Sequence, residues 1–242
     1  MANANLNRTP MPGPPATHIL FDMDGLLLDT EVIYTAVTQT IVGRFGKTYD
    51  WDLKARMIGL PAPESARLLV DALQLPITPA QYLAERAELS HDAFAACDAL
   101  PGAEALVRHL HTHRVPMAVA TSSGRALFDL KTTRHRAWFD LMDGVVCGDD
   151  PQVKNGKPAP DIFLAAAARI GAQPESTLVF EDSPQGLAAG VAARMRVIAV
   201  PDARMEKSIY ADADLILDSL PQFAPEEYGL PAMSGKRMKN DK

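Results

Sequence analysis

The stretch that most constrains this chain is His18-Ile-Leu-Phe-Asp-Met-Asp-Gly-Leu-Leu-Leu-Asp-Thr-Glu31. Its apolar opening, Ile19 to Phe21, has the bulk and length of a buried strand. The run ends abruptly in two acids, Asp22 and Asp24. Side chains alternate faces along a strand, so Asp22 and Asp24 point one way while Phe21 and Met23 point the other. Gly25 lets the chain leave the strand sharply, and Asp29 and Thr30 stand where an N-cap would open the next helix. Two carboxylates forced together at the end of a buried strand repel each other, and a metal ion or a shared proton relieves that repulsion. Taken alone, the same spacing also fits a strand end with two solvated acids and a helix cap.

The rest of the chain falls into two patterns. Residues 30–45 carry Val32, Ile33, Val37, Ile41 and Phe45 at helical spacing. A break at Gly59-Leu-Pro-Ala-Pro63 precedes a second helical run over 64–73, and Thr78-Pro79 opens a third that reaches about Ala96. From about 32 to 97 there is helix and turn but no strand candidate. Beyond Leu100-Pro-Gly102, helices predicted over 103–113, 125–136, 161–170 and 185–194 lead into short apolar strands at 116–120, 144–147, 177–180 and 197–200. A last helix near Tyr210 precedes a weak strand at 215–217. Repeated alternation of this kind implies an α/β fold, a Rossmann-like parallel sheet with helices on both faces. The helical block after the first strand reads as an inserted all-helical cap domain. The expected division is a Rossmann-like core at 16–34 and 98–231, a cap at 35–97, a disordered leader at 1–15 and a disordered tail at 232–242.

A net charge of −6 argues against nonspecific nucleic-acid binding, and it means that an anionic ligand must find a local positive site. Cys97 and Cys147 make no disulfide framework, and no apolar run approaches membrane-spanning length. A cytoplasmic monomer is the expectation.

Ligands of open parallel sheets gather at the carboxyl ends of the strands. The first strand ends in Asp22 and Asp24. The second ends in Thr121-Ser-Ser-Gly124, small hydroxyls before a helix, which suits an anion or merely caps the helix. The connection that follows the third strand holds Gly156-Lys-Pro-Ala-Pro-Asp161, where two prolines stiffen the turn that presents Lys157; Lys154 reads as a solvated charge. The fourth strand ends in Glu181-Asp-Ser-Pro-Gln-Gly186, a second pair of acids, and oxygen-rich acidic sites suit Mg²⁺.

These four strand ends, in order and position, resemble the four motifs of the haloacid-dehalogenase-like hydrolases. Asp129-Leu-Lys-Thr-Thr-Arg-His135, Cys147-Gly-Asp-Asp-Pro-Gln-Val-Lys154 and Gly229-Leu-Pro231 narrow the resemblance to the eukaryotic pseudouridine-5′-phosphatases. The resemblance implies an Mg²⁺-dependent phosphatase acting on a small phosphorylated metabolite, with pseudouridine 5′-phosphate as the expected substrate. Asp22 would be the nucleophile and Asp24 the acid and base. Thr121, Ser122 and Lys157 would bind the phosphoryl oxygens. Asp22, the carbonyl of Asp24 and Asp182 would hold the metal, with Glu181 acting through water or hydrogen bonds.

A dehalogenase would not need Asp24, since halide leaves unprotonated. A sugar phosphomutase of the β-phosphoglucomutase type, another small-metabolite phosphatase acting on glycerol or sugar phosphates, and a Mg²⁺-binding scaffold remain as alternatives. Selectivity is expected from the cap break, through Gly59, Leu60 and Ala62, with Arg56 and Glu64 as the flanking polar groups. His109 and His113 share a helical face but lack the glutamate of a zinc motif. Trp51 and Trp138 are expected to fill the core or the domain interface.

Overall fold

The computed structural model describes residues 13–233. The expected leader and tail lie largely outside that span. From Gly13 onward the chain is tied to the core, with Arg196 Nη2 donating to the Pro14 carbonyl at 2.7 Å.

Six parallel strands form one sheet: β1 (His18–Phe21), β2 (Met117–Thr121), β3 (Gly144–Cys147), β4 (Thr177–Glu181), β5 (Arg196–Ala199) and β6 (Leu215–Ile216). Their order is β3-β2-β1-β4-β5-β6. The chain therefore reverses direction of travel across the sheet at β1, and a crevice opens at its carboxyl end. Register brings the strand ends level, with Phe21 opposite both Val119 of β2 and Phe180 of β4. Ile19, Leu20 and Phe21 are wholly buried because both faces are covered. Ile19 and Phe21 join one apolar cluster with Leu106, Phe139 and Phe180. Leu20 joins the other with Ile162, Phe163, Ala166 and Val179.

Four helices separate β1 from the rest of the sheet: α1 (Thr30–Gly43), α2 (Trp51–Met57), α3 (Ala62–Leu73) and α4 (Pro79–Ala95). They build their own small core, in which Ile41, Leu69 and Tyr82 are wholly buried. Thr78 and Gln81 form a capping box at the start of α4, as the Thr-Pro pair predicts. The return to the sheet runs beside the departure: Asp29 N–H donates to the Asp98 carbonyl and Leu100 N–H to that of Leu27, both at 2.9 Å. The five helices that follow are α5 (Ala103–Thr112), α6 (Arg125–Lys131), α7 (Arg136–Phe139), α8 (Asp161–Arg169) and α9 (Pro184–Ala192).

Three local expectations change. The Asp29 side chain makes no cap bond to α1; its backbone serves the junction with Asp98 instead. The helix predicted over 125–136 breaks after Lys131, where the hydroxyls of Thr132 and Thr133 bond back to carbonyls of the preceding turn and compete with the helical ladder. Near Tyr210 there is a 3₁₀ turn, Lys207–Tyr210.

Two of the points where the insertion touches the core are Gly59 and Trp51. Gly59 has φ +80°, and a β-carbon there would lie 2.8 Å from Gln185 Cγ at the start of α9. The Trp51 ring lies 4.0 Å from the Arg204 guanidinium carbon, while Asp202 grips the same guanidinium at 2.7 and 2.9 Å. Trp138 is buried in the core against Phe139.

The β2 and β3 ends are packed backbone to backbone. A methyl group on Gly148 would sit 2.4 Å from the Ser122 carbonyl oxygen, with no flexible side chain to give way. Gly148→Ala is therefore expected to cost about 1–3 kcal/mol by overpacking. A thermal melt should show Tm lower by roughly 3–10 °C.

Candidate active site

The level strand ends place four loops around the crevice. Asp22 continues β1, its N–H donating to the Phe180 carbonyl at 3.0 Å. Lys157 reaches it from the connection after β3: Nζ donates to Asp22 Oδ1 at 2.5 Å, to Glu181 Oε1, and to the Ala120 carbonyl at 3.3 Å. The two prolines after Lys157 hold that turn, and the lysine is buried. The second oxygen of Glu181 accepts the N–H groups of Asp182 and Ser183 at 3.0 Å and the Ser183 hydroxyl at 3.1 Å. Glu181 is thus fully engaged in fixing Lys157 and the turn into α9. Lys154 is exposed.

Asp24 has its own lysine, which the motif reading missed. Lys131, at the end of α6 and wholly buried, donates from Nζ to Asp24 Oδ1 at 2.5 Å, to Ser123 Oγ at 2.9 Å and to the Tyr34 hydroxyl at 3.0 Å. Ser123 donates to Asp24 Oδ2 at 2.8 Å. The serine expected to cap α6 therefore serves Asp24, and Gly124 is the N-cap. The one signal for Lys131 was its place within the 129–135 heptapeptide. Thr121 is wholly buried; its hydroxyl accepts the Ser123 N–H at 3.1 Å and lies 3.4 Å from Asp24 Oδ2. Ser122 is exposed on the wall of the crevice.

The two carboxylates have opposite electrostatics. Burial would push Asp24 up, but the Lys131 charge and hydrogen bond, with the Ser123 hydroxyl, hold it below the usual carboxylate range. Burial pushes Asp22 up to about 7; Lys157 opposes this, and Glu181 and Asp24 add to it. Asp182 is raised well above its ordinary value by burial and by Glu181, Asp22 and Glu31. Among the described residues its carboxylate has no hydrogen-bond donor. One lysine thus faces three acids, Asp22, Glu181 and Asp182, and the surplus negative charge points into the crevice. A hard divalent cation fits this set. Mg²⁺ is an ion held by one or two carboxylates plus water and phosphate oxygens, and Asp22 and Asp182 could supply the carboxylates.

The crevice widens into a cleft of about 540 Å³ between the sheet and the inserted helices. Asp22, Asp24, Ser122, Lys157 and Asp182 line its floor. Gly59, Leu60 and Ala62 line its roof, as expected from the cap break. Arg56 and Glu64 do not; both are exposed elsewhere. The polar groups of the roof are instead Tyr34, Lys54 and Arg86, on α1, α2 and α4, with the wholly buried Tyr82 behind them. Away from the cleft, His109 bonds the Pro231 carbonyl at 2.8 Å and His113 bonds the His109 carbonyl at 2.8 Å.

A family model described as haloacid dehalogenase-like hydrolase matches residues 19–200. Among curated relatives, (DL)-glycerol-3-phosphatase 2 of Arabidopsis thaliana is 48% identical, over 89% of this chain and 92% of that protein. The protein named probable pseudouridine-5′-phosphatase of Drosophila melanogaster is 45% identical, over 90% of this chain and 96% of its own. Among solved structures, CbbY of Rhodobacter sphaeroides in complex with phosphate superposes with a TM-score of 0.67 at 25% identity, over 84% of this chain and 94% of that one. A parallel sheet with acids at the ends of β1 and β4, a buried lysine beside them and a helical insertion above agrees with these matches: the chain belongs to the haloacid dehalogenase-like hydrolases and is a phosphoric monoester hydrolase of that family.

Proposed function

We propose that the protein is an Mg²⁺-dependent phosphatase that hydrolyses a small phosphate monoester through a phosphorylated Asp22. The observation that carries this reading is the pair of acids at the end of β1, each held by a different buried lysine and both facing one cleft. Asp22, oriented by Lys157, attacks the phosphorus; the new O–P bond forms as the bond to the leaving oxygen breaks. Asp24 gives that oxygen a proton, then takes one from the water that cleaves the acyl phosphate. Lys157, Thr121 and the Ser122 N–H stabilise the charge on the transferring oxygens. Asp22, Asp182 and the Asp24 carbonyl would hold Mg²⁺, which supplies charge neutralisation between carboxylate and phosphate. Glu181 keeps Lys157 and the Asp182 turn in place. Residues 35–97 act as the cap, and Gly59, Leu60 and Ala62 bound the space for the leaving group.

The substrate that suits the cleft is pseudouridine 5′-phosphate. A volume of about 540 Å³ is in the range that encloses a nucleoside-sized ligand, and the Drosophila relative carries that activity in its name. Glycerol 3-phosphate is the second reading, favoured by the identity to the Arabidopsis enzymes. Two free, buried cysteines suit a reducing compartment, here taken as the cytoplasm, and the protein is taken as a monomer.

Phosphate release should be measured across nucleotide, glycerol and sugar monophosphates with Mg²⁺. Steady release without a phosphorylated isomer separates a phosphatase from a mutase, and a binding scaffold releases none. Asp22→Asn should abolish turnover with the fold intact, and near-normal turnover would sink the covalent route. EDTA should remove activity, and Ca²⁺ should inhibit because it takes more and longer oxygen contacts than Mg²⁺. Lys157→Ala should cost far more activity than Lys154→Ala. Lys131→Met removes the cation that holds Asp24 as a carboxylate, so burial shifts Asp24 toward its protonated form, and kcat is expected to fall roughly 100-fold or more as the base that activates water is lost. The same variant should lose about 3 kcal/mol in denaturant unfolding.

A further inference from the structure

The roof of the cleft carries an arginine whose donors are unfilled. Arg86 lies on α4, one turn after Tyr82, and is half-buried. Its guanidinium carbon is 5.1 Å from the centre of the Tyr34 ring and 5.6 Å from that of Tyr82. Both rings are themselves anchored. The Tyr34 hydroxyl accepts from Lys131 at 3.0 Å, and the Tyr82 hydroxyl pairs with the Thr38 hydroxyl at 2.8 Å. The guanidinium is thus held beside two anchored rings, and its N–H groups are the part that can donate into the cleft.

Among the described residues no carboxylate lies within 4.0 Å of Arg86, and no acceptor lies within hydrogen-bonding distance of its guanidinium. The neighbouring roof lysine differs. Lys54 is buried, 3.0 Å from the Glu31 carboxylate and 2.6 Å from the Thr35 hydroxyl, so its charge is already matched. Arg86 is the one arginine among the described residues that lines the cleft. Lys157 at the floor is already bonded to Asp22 and Glu181, so among the described residues Arg86 is the cleft cation with no ion-pair partner.

The floor takes the phosphate. The leaving group must lie under the insertion, beside Met57, Ile58, Leu60 and the half-buried Tyr34 ring. A wall of apolar and aromatic surface ending in a planar fork of donors matches a flat ring that bears carbonyl oxygens in its plane. It matches a three-carbon polyol poorly, since such a group offers no planar acceptor pair and no surface for the rings.

We infer that Arg86 is a specificity-determining residue, which receives the carbonyl-bearing ring of a uracil-type nucleoside monophosphate on the insertion side of the cleft. This deepens the phosphatase reading and rests on it for turnover, though ring binding can be measured without turnover.

The test uses the full chain with Arg86→Met, which keeps the stem and removes the fork, and Arg86→Lys, which keeps the charge and removes the fork. Binding of free pseudouridine is measured by calorimetry, with free ribose as the comparison. Pseudouridine affinity is expected to fall roughly 10- to 100-fold in both variants, as for loss of charge-assisted hydrogen bonds, and that of ribose far less. In turnover, kcat/KM for pseudouridine 5′-phosphate should fall at least about tenfold further than that for glycerol 3-phosphate, mostly through KM. Unchanged pseudouridine binding, or equal losses for the two substrates, overturns the assignment. A loss confined to sugar bisphosphates also overturns it, in favour of a second anionic group. If Arg86→Met fails to fold, Arg86→Lys carries the same comparison. Weakened nucleoside binding with no phosphate release from any monoester would retain the Arg86 subsite and reject the phosphatase.

Discussion

Everything at this site follows from burying two carboxylates two residues apart at the end of a central strand. Taking a charge out of water is expensive, and the cost is met only by pairing and hydrogen bonding. The fold supplies a separate lysine for each acid, from distant parts of the chain: Lys157 for Asp22, and Lys131 for Asp24. Both lysines are buried, and in both the carboxylates more than reverse the lowering that burial alone would cause, so their pKa values are raised. The balance is still uneven. The Asp24 pair is closed on itself, whereas the Asp22 side carries Glu181 and Asp182 as well, and its surplus negative charge is what makes it a place for a hard cation.

The strand order explains why these loops meet. Reversal at β1 puts the ends of β2 and β4 on either side of Asp22, so hydroxyls arrive from one neighbour and acids from the other. This part of the site was legible in the sequence because each piece is local. A buried apolar run followed by acids, hydroxyls or a prolyl lysine is written in consecutive residues, and the order of the runs carries the topology. The sheet, the helical insertion and the N-cap at Thr78 were legible for the same reason.

What was not legible sits on helices. Lys131 and Arg86 occupy positions whose spacing is that of any helix face; the Lys131–Asp24 pair spans 107 residues, and Arg86 makes no ion pair among the described residues. Only tertiary packing distinguishes them from solvated charges such as Lys154. Arg56 and Glu64 failed in the opposite way. They are near the roof loop in sequence, but α2 and α3 turn both outward into solvent, while the buried Lys54 and the more distant Arg86 face the cleft. Helix 125–136 was overextended because the competing hydroxyls of Thr132 and Thr133 are invisible to a hydrophobic period.

The Lys131 pair also joins the chemistry to the cap. Tyr34 stands in the first turns of α1, just after the chain leaves the sheet, and Phe94 stands at the end of α4, just before it returns. The Lys131 ammonium lies 5.1 Å from the first ring and 4.7 Å from the second, and the two rings meet edge to face at 5.0 Å. Both crossings between sheet and insertion therefore pack against the cation that holds Asp24. While that pair stands, Asp24 is held as a carboxylate, which in the proposed mechanism is the form that activates water. The protonated form that the proposed leaving alkoxide would need is disfavoured by the same contact. Any shift of the insertion that moves Tyr34 or Phe94 alters the setting of Lys131, and with it the balance between the two forms. Cap position and proton transfer share one buried lysine.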